Sequence, residues 1–290
     1  MTLQMLLILL VKTSVITLMV SLGLGLQLNT LALFRHRPWL ILRSLLGTCV
    51  LVPLVALLLL KLLPMSSQMS AGARFGIALM ALCPSAPLTL RKADRQGGDR
   101  HLAALLQVAA ALVAVVTIPL LTDLFRNTYQ VAGWNIAPKT VAAQVALVQV
   151  LPLTAGLTLS HWFPQIAARW AVPIQKTAHL VNLAVVALIV FMVFPRVLSF
   201  AQQNLLALAA MVLMTFAALG IGYALGGANS QERTTTAVVT SMRNPGLALL
   251  FATAHGKDIS GIKLAILTYL LVTILGSIPF YRWSKAQAMA

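Results

Sequence analysis

The sequence predicts an all-α polytopic membrane protein with about nine transmembrane helices, and three observations support this fold class. The chain of 290 residues is 60% hydrophobic and 9% charged, and its mean hydropathy is +0.92. Apolar runs of about 20 residues, the length that a helix needs to cross a bilayer, recur from end to end. A β-barrel would instead show alternating segments of about 10 residues, and none is found.

Nine predicted spans follow from these runs, and the connections between them are too short for an appended soluble domain. The first run carries Lys12 and lacks a small-residue cleavage site, so it is interpreted as a true span rather than a signal peptide. Cys49 and Cys83 both fall within apolar runs, so no disulfide framework and no metal site is predicted. The predicted spans cover residues 5–27, 39–60, 72–95, 101–125, 138–162, 171–194, 201–226, 233–255 and 260–282.

The charged residues predict the orientation of the chain in the membrane. A net charge of +16 with only five carboxylates would suggest nucleic acid as the partner of a soluble protein. In a membrane protein, Lys and Arg are instead enriched in cytoplasmic loops and attract anionic lipid headgroups, so no nucleic-acid partner is predicted. The larger share of the basic residues falls on the inner side if the N-terminus is outside. We therefore predict a plasma (inner) membrane protein with an external N-terminus and a cytoplasmic C-terminus.

Two of the predicted spans contain helix-breaking sequences. The third span contains "ALCPSAPLTLRK" with Pro84 and Pro87, and the eighth contains "TSMRNPGLALL" with Pro245 and Gly246. Proline removes a backbone donor and clashes with the preceding turn, so each helix should be interrupted. Unwound backbone at membrane depth is tolerated only inside protein or beside a watery cavity. One broken helix in each half of the chain indicates a transporter with inverted repeats, and two unrelated proline kinks are the alternative.

Several motifs, taken in order, carry a resemblance to a known family. They are "LGLGLQLNTLALFRHRP" (Leu22 to Pro38), "TCVLVPL" (Thr48 to Leu54), "LCPSAP" (Leu82 to Pro87), "IPLLT" (Ile118 to Thr122) and "SMRNPGLALLFATAH" (Ser241 to His255). In this order and spacing the chain resembles the bile acid:sodium symporter family. The resemblance implies two crossing broken helices and two domains that move against each other. It places a panel domain at 1–37 and 128–195, and a core domain at 38–127 (first repeat) and 196–290 (second repeat).

The resemblance also implies where a sodium site would lie, and this chain departs from it. Relatives carry Glu-x-Gly-Met-Gln-Asn in the second broken helix, so Val239 stands in place of the carboxylate and Arg243 in place of the glutamine. The other positions matched to this site are Thr48, Thr89, Leu90, Ala103, Gln107, Thr240 and Met242. Sodium is a hard cation that needs several oxygen ligands, and none of the five acidic residues lies clearly inside a span. Sodium is therefore not a predicted partner.

Arg243 is predicted to replace the coupling ion as the counter-charge of an anionic substrate. The planar guanidinium suits a carboxylate or a sulfonate. Alternatively, Arg243 is a structural plug that satisfies backbone carbonyls at the break, or its side chain extends to the membrane interface. Gln107 is expected to hydrogen-bond Arg243. The predicted substrate-binding residues are Arg243, Asn244, Thr89, Ser85, Pro87 and Gln107.

A few other residues have two interpretations each. Asn244 is a candidate hydrogen-bonding residue for substrate or a cap of the broken helix. Arg91 and Lys92 are either an anion funnel or ordinary inner-side cations, and the second interpretation is favoured. His179 has no acidic partner in its span, so a packing role is favoured over proton relay. Gly23 and Gly25 are predicted to allow close helix packing.

The predicted function is a sodium-independent secondary carrier of a small or amphipathic organic anion, working by alternating access. A conventional sodium-coupled bile acid or organic anion symporter is the first alternative, and a non-transporting membrane sensor or assembly protein is the second. The chain has no HExxH motif, no nucleophile elbow and no Gly-rich phosphate loop. Neither an enzyme nor a cofactor is predicted.

Overall fold

The computed structural model describes residues 3–26, 34–62, 68–84, 86, 88–129, 138–255 and 259–289. Every secondary-structure element in this part of the chain is helical, as the composition predicts. The helices are α1 (Leu3–Gly25), α2 (Pro38–Leu46), α3 (Val52–Leu62), α4 (Ala71–Leu82), α5 (Thr89–Arg95), α6 (Arg100–Tyr129), α7 (Pro138–Val145), α8 (Leu151–Trp162), α9 (Pro164–Gln203), α10 (Leu205–Ala224), α11 (Ser230–Ser241), α12 (Pro245–His255), α13 (Ile262–Gly276) and α14 (Ile278–Met289). Single π-helical turns join α2 to α3 (Gly47–Leu51) and α7 to α8 (Ala146–Val150).

The helices agree with the predicted membrane spans. Within the described residues, six helical segments are long and apolar enough to cross a bilayer. They are Pro38–Lys61, Arg100–Thr128, Lys139–Trp162, Pro164–Gln203, Leu205–Ala224 and Ile262–Gln287. The described apolar parts of α1 and α4 are shorter, and the third and eighth predicted spans are each divided into two helices, α4 with α5 and α11 with α12. The polytopic all-α prediction is confirmed.

One predicted boundary is wrong. The sixth span was expected to end at residue 194, but α9 continues through Pro195 and Arg196 to Gln203, and Asn204 alone separates it from α10. The chain turns at Asn204, whose Nδ2 donates to the carbonyl of Phe200 at 2.9 Å. A proline within a membrane helix is tolerated when neighbouring groups satisfy the freed carbonyl, and Pro195 lies inside α9 rather than at its end. The predicted domain boundary at residues 195 and 196 therefore falls inside a helix.

Helices α1, α8 and α9 pack against one another and are called the three-helix layer. Gly23 and Gly156 make the closest approach within it. A Cβ atom at Gly23 would meet backbone atoms of Leu153 and Leu157, and a Cβ atom at Gly156 would meet the carbonyl of Val20. Small residues at helix interfaces allow this backbone contact in membranes. Gly23 therefore has the predicted packing role, whereas Gly25 faces open space.

The remaining packing centres on the four halves of the broken helices, α4, α5, α11 and α12, which with α6, α10 and α13 are called the crossed-helix layer. Helix α4 packs on α13, α11 packs on α10, and α5 packs on α6 and α11. Helix α7 also packs on α6, although the predicted division places it in the panel. The predicted division into a panel domain and a core domain stays a prediction.

Candidate functional site

The two helix breaks meet and bond to each other. The backbone N–H of Ala86, in the first break, donates to the carbonyl of Met242 at 3.0 Å, and the N–H of Asn244, in the second break, donates to the carbonyl of Cys83 at 3.1 Å. Unpaired backbone groups at membrane depth are costly, and each break satisfies groups of the other. Helices α5 and α11 pack together on one side of this crossing, and α4 and α12 pack together on the other. The predicted crossing of the broken helices is confirmed.

Arg243 lies at the crossing and is 2% exposed. Its Nη1 donates to the carbonyl of Thr48 at 2.9 Å and to the carbonyl of Ala81 at 3.3 Å. The side chain therefore does not extend to the membrane interface. These two bonds make Arg243 a link between the π-helical turn and the end of α4, which is the structural role considered as an alternative.

The carbonyls of Thr48 and Ala81 can accept from Arg243 because the local sequence leaves them without a partner in their own helices. In the π-helical turn, the N–H of Val52 bonds five residues back to Gly47, so the next residue in this register, Pro53, would bond to Thr48 but has no N–H. Ala81 lies in the last turn of α4, where carbonyls have no partner within the helix and the helix dipole favours a cation. The "TCVLVPL" motif and the first break thus create the two acceptors that hold Arg243.

These bonds leave the guanidinium partly unsatisfied. Arg243 Nε and Nη2 are buried and have no hydrogen-bond partner. None of the acidic residues in the described part of the chain pairs with Arg243; the two ion pairs found there are Arg37–Glu232 and Arg126–Asp123. A buried charge with unpaired donors is costly unless an anion satisfies it. Two guanidinium donors of Arg243 therefore stay unpaired at the crossing of the broken helices.

The side-chain amide of Asn244 is bonded through its oxygen and unpaired at its nitrogen. Its side-chain Oδ1 accepts from the N–H of Leu247 at 3.0 Å, so it caps the start of α12. Its Nδ2 is buried without a partner. The capping interpretation and the ligand-binding interpretation use different atoms of one amide, so they are compatible.

A cavity of about 340 Å³ lies between the three-helix layer and the crossed-helix layer, and Arg243 and Asn244 both line it. Among the described residues that line it, none is acidic. Four are cationic: Arg91, Lys92, Arg95 and Arg243. Its volume is at the low end of the ~300–1,000 Å³ of typical ligand pockets. The cavity is therefore suited to a small anion.

The cavity includes only part of the predicted substrate site. Thr89 and Gln107 are buried but are not among the lining residues, and Ser85 and Pro87 lie outside the described residues. Thr89 Oγ1 donates to the carbonyl of Ala86 at 2.6 Å. Gln107 Oε1 has no partner, so the expected hydrogen bond between Gln107 and Arg243 is absent.

Some residues that line the cavity were not predicted from the sequence. Ser14 and Asn182 gave no sequence signal, because single polar residues in long apolar spans have many interpretations. Lys92 was interpreted as an ordinary inner-side cation, but it lines the cavity with its ammonium 4.5 Å from the ring centre of Tyr281. A cation over an aromatic ring is a favourable contact, and here it places positive charge at the cavity.

Four of the positions matched to the sodium site carry apolar side chains that belong to or pack against one hydrophobic cluster. Leu90, Ala103 and Val239 are buried in the same hydrophobic cluster, and Met242 packs against it. No group of three or more His, Cys, Asp or Glu side chains within the described ranges is placed to hold a metal ion. Side chains without oxygen atoms cannot replace the hydration shell of a hard cation.

Two further positions matched to the sodium site, Thr48 and Thr240, bond to each other instead. Their Oγ1 atoms are 2.9 Å apart and both residues are buried. Thr240→Val should reduce the free energy of unfolding by about 1–2 kcal/mol, because it leaves the Thr48 hydroxyl buried without this partner. The double variant Thr48→Val/Thr240→Val should recover most of that loss, since both partners are then apolar. Thermal unfolding of the purified protein in detergent measures both, and additive losses would contradict the predicted coupling.

The comparison with known families agrees with this membrane fold. A family model described as the sodium bile acid symporter family matches residues 13–223. The chain belongs to this family. Comparison with curated proteins finds no significant match. Sodium bile acid symporter family members are membrane transporters, and the helices described above make this member an integral membrane protein. The match ends within α10, so it does not include α11, α12 or Arg243.

Proposed function

We propose that this member of the sodium bile acid symporter family carries an organic anion across the membrane by alternating access, without sodium. Arg243 supplies the positive charge that holds the substrate. The observation that carries the proposal is the buried guanidinium with unpaired Nε and Nη2 donors at the crossing of the broken helices. It lines a cavity in which no described residue is acidic. The chain acts as a carrier and not as an enzyme.

Electrostatics supports an anion as the substrate. A charge that is removed from water is stabilised by a partner of opposite sign with well-placed hydrogen bonds, and the planar guanidinium binds a carboxylate through two parallel hydrogen bonds. Arg91 and Arg95 are exposed on α5, at the side of the crossing where α5 and α11 pack together. Their field attracts anions toward the cavity, which supports the funnel role considered above for Arg91.

Packing supports independence from sodium. The apolar side chains Leu90, Ala103 and Val239 occupy the positions matched to sodium ligands. Arg243 occupies another of these positions and already brings a positive charge. A sodium ion beside it would be repelled, and it would have no carboxylate to offset its dehydration. The fixed cation therefore takes the place of the coupling ion.

The packing between the two layers supports alternating access. On the side of the crossing where α4 and α12 lie, Val15, Val148 and Leu250 form a small buried cluster between the layers. A Cβ atom at Gly246 would lie 2.8 Å from Val15 Cγ2, so the layers are in close contact there. The basic residues of α5 lie at the opposite side. Movement of the crossed-helix layer along the three-helix layer would open the closed side and close the other.

Transport by the purified protein in proteoliposomes tests the proposal. Uptake of labelled pyruvate, pantoate and cholate is measured in sodium medium and in choline medium, with protein-free liposomes as the control. We expect uptake of at least one anion at the same initial rate in both media. Uptake that rises steeply with external sodium would favour the conventional symporter. Absence of uptake for every anion would favour the non-transporting alternative.

A further inference from the structure

The two walls of the cavity differ in charge. All four lining cations belong to the crossed-helix layer: Arg91, Lys92 and Arg95 on α5, and Arg243 at the second break. The three-helix layer contributes apolar side chains from α1 and α9 and three uncharged polar residues. These three are Ser14, His179 and Asn182. A ligand in this cavity therefore meets positive charge on one side and neutral hydrogen-bonding groups on the other.

His179 lies on α9, on the side of the cavity that the three-helix layer forms. It is 5% exposed, lines the cavity, and its Nδ1 has no hydrogen-bond partner. A buried ring nitrogen without a partner is costly. Burial agrees with the packing role favoured in the sequence analysis, but a satisfied packing histidine would have its ring nitrogen bonded within the protein. The unpaired atom points to a ligand.

Asn182 lies about one helical turn after His179 on the same helix, so the two side chains share a face. Ser14 Oγ on α1 donates to Asn182 Oδ1 at 2.8 Å, and both residues are buried. This bond fixes the amide by using its oxygen and leaves its NH₂ group free to donate. Ser14 thus acts as a positioning residue for Asn182, and α1 and α9 together hold the amide against the cavity.

We propose that His179 and Asn182, positioned by Ser14, form a second binding subsite that takes an uncharged oxygen function of the substrate, a hydroxyl or a carbonyl. A neutral imidazole and a carboxamide can donate to and accept from such a group, whereas they do not supply the charge that a second carboxylate would need. The inference rests on the proposed function, because the carboxylate of the same substrate binds Arg243. The substrate then bridges the two layers by its two ends.

The two ends of the bound substrate also have different functions in this proposal. Arg243 moves with the crossed-helix layer in the proposed mechanism, so the charge of the substrate stays neutralised during movement. The contact with His179 and Asn182 belongs to the other layer. It selects among anions by their uncharged group, because a site built to hydrogen-bond a hydroxyl discriminates against analogues that lack it.

Binding of matched pairs of acids to the detergent-purified protein tests the subsite. The probes are glycolate, 3-hydroxypropionate, 4-hydroxybutyrate, 5-hydroxypentanoate and 6-hydroxyhexanoate, each compared with its unsubstituted parent acid by calorimetry. For at least one chain length we expect the hydroxyl to strengthen binding about fivefold, as one net hydrogen bond would. His179→Leu and Asn182→Leu should bring this ratio close to one. His179→Gln should retain part of it.

Two further variants separate this inference from the proposed function. Leu180→Ala, on the exposed face of α9, is the matched control and should keep the ratio. Arg243→Gln should weaken both acids of each pair and leave their ratio unchanged. Where the leucine variants do not fold, Ser14→Ala must lower the ratio instead. A hydroxyl benefit that is absent at every chain length, or that survives all these changes, overturns the subsite alone. Binding of no acid at all contradicts the proposed function and the subsite with it.

Discussion

Replacing Arg243 with glutamine is expected to reduce anion uptake at least about 30-fold while the protein stays folded. Truncation of one partner of a buried, hydrogen-bonded charge pair costs about 2–5 kcal/mol, and each 1.4 kcal/mol is about tenfold in binding. The carboxamide of glutamine retains a donor for the carbonyl of Thr48 or Ala81, which Arg243 Nη1 bonds in the native protein. It has no charge for the substrate. Initial uptake rates in proteoliposomes give the ratio.

Arg243→Lys is the matched variant for the same position. It keeps the charge but replaces the planar fork with a compact ammonium, which does not bind a carboxylate through two parallel bonds. We expect uptake between those of the native and glutamine proteins. Thermal unfolding in detergent reports on folding in each case. Native uptake by Arg243→Gln would contradict the counter-charge role, and unfolding of both variants would assign Arg243 to the structural role alone.

Replacing Gly23 with alanine is expected to lower the free energy of unfolding by about 1–3 kcal/mol, the usual cost of overpacking. A Cβ atom there would meet the carbonyl of Leu153 and the N–H of Leu157. These are backbone atoms of α8, so no side-chain rotation relieves the contact, and α1 must move away from α8. The transition midpoint of thermal unfolding in detergent measures the change.

The same helix offers a control two residues further on. Gly25 has no atom within 4 Å of the position that a Cβ would occupy, and alanine is favoured over glycine in a helix by up to about 1 kcal/mol. Gly25→Ala should therefore leave stability unchanged or raise it. Equal effects of the two substitutions would show that helix propensity, and not the contact between α1 and α8, determines the result.

The sequence identified the helices and their two interruptions because both depend on local properties. An apolar run of sufficient length partitions into the bilayer as a helix whatever its neighbours are, and proline interrupts the helix in which it lies. The extent of α9 was the exception. Whether Pro195 ends a helix depends on what satisfies the freed carbonyl, and that partner is not encoded next to the proline.

The candidate site was predicted less completely. The sequence singled out Arg243 and Asn244, because a cation and an amide beside a helix break in an apolar chain are rare. Gln107 was expected beside Arg243 and is not bonded to it, while Ser14 and Asn182 line the cavity without a sequence pattern that singles them out. Placement of a side chain relative to a cavity depends on the rotation and separation of helices far apart in the chain.

By itself, then, the sequence determined a polytopic membrane protein with two broken helices, and it predicted few oxygen ligands at the positions matched to a sodium site. This was possible because an apolar segment enters the lipid, and a proline interrupts a helix, independently of the other segments. Only the tertiary structure decided that the carbonyls of Thr48 and Ala81 hold one nitrogen of Arg243 and leave Nε and Nη2 unpaired. It also decided that charge lines one wall of the cavity and neutral polar groups the other. These properties arise from packing between helices that are distant in sequence.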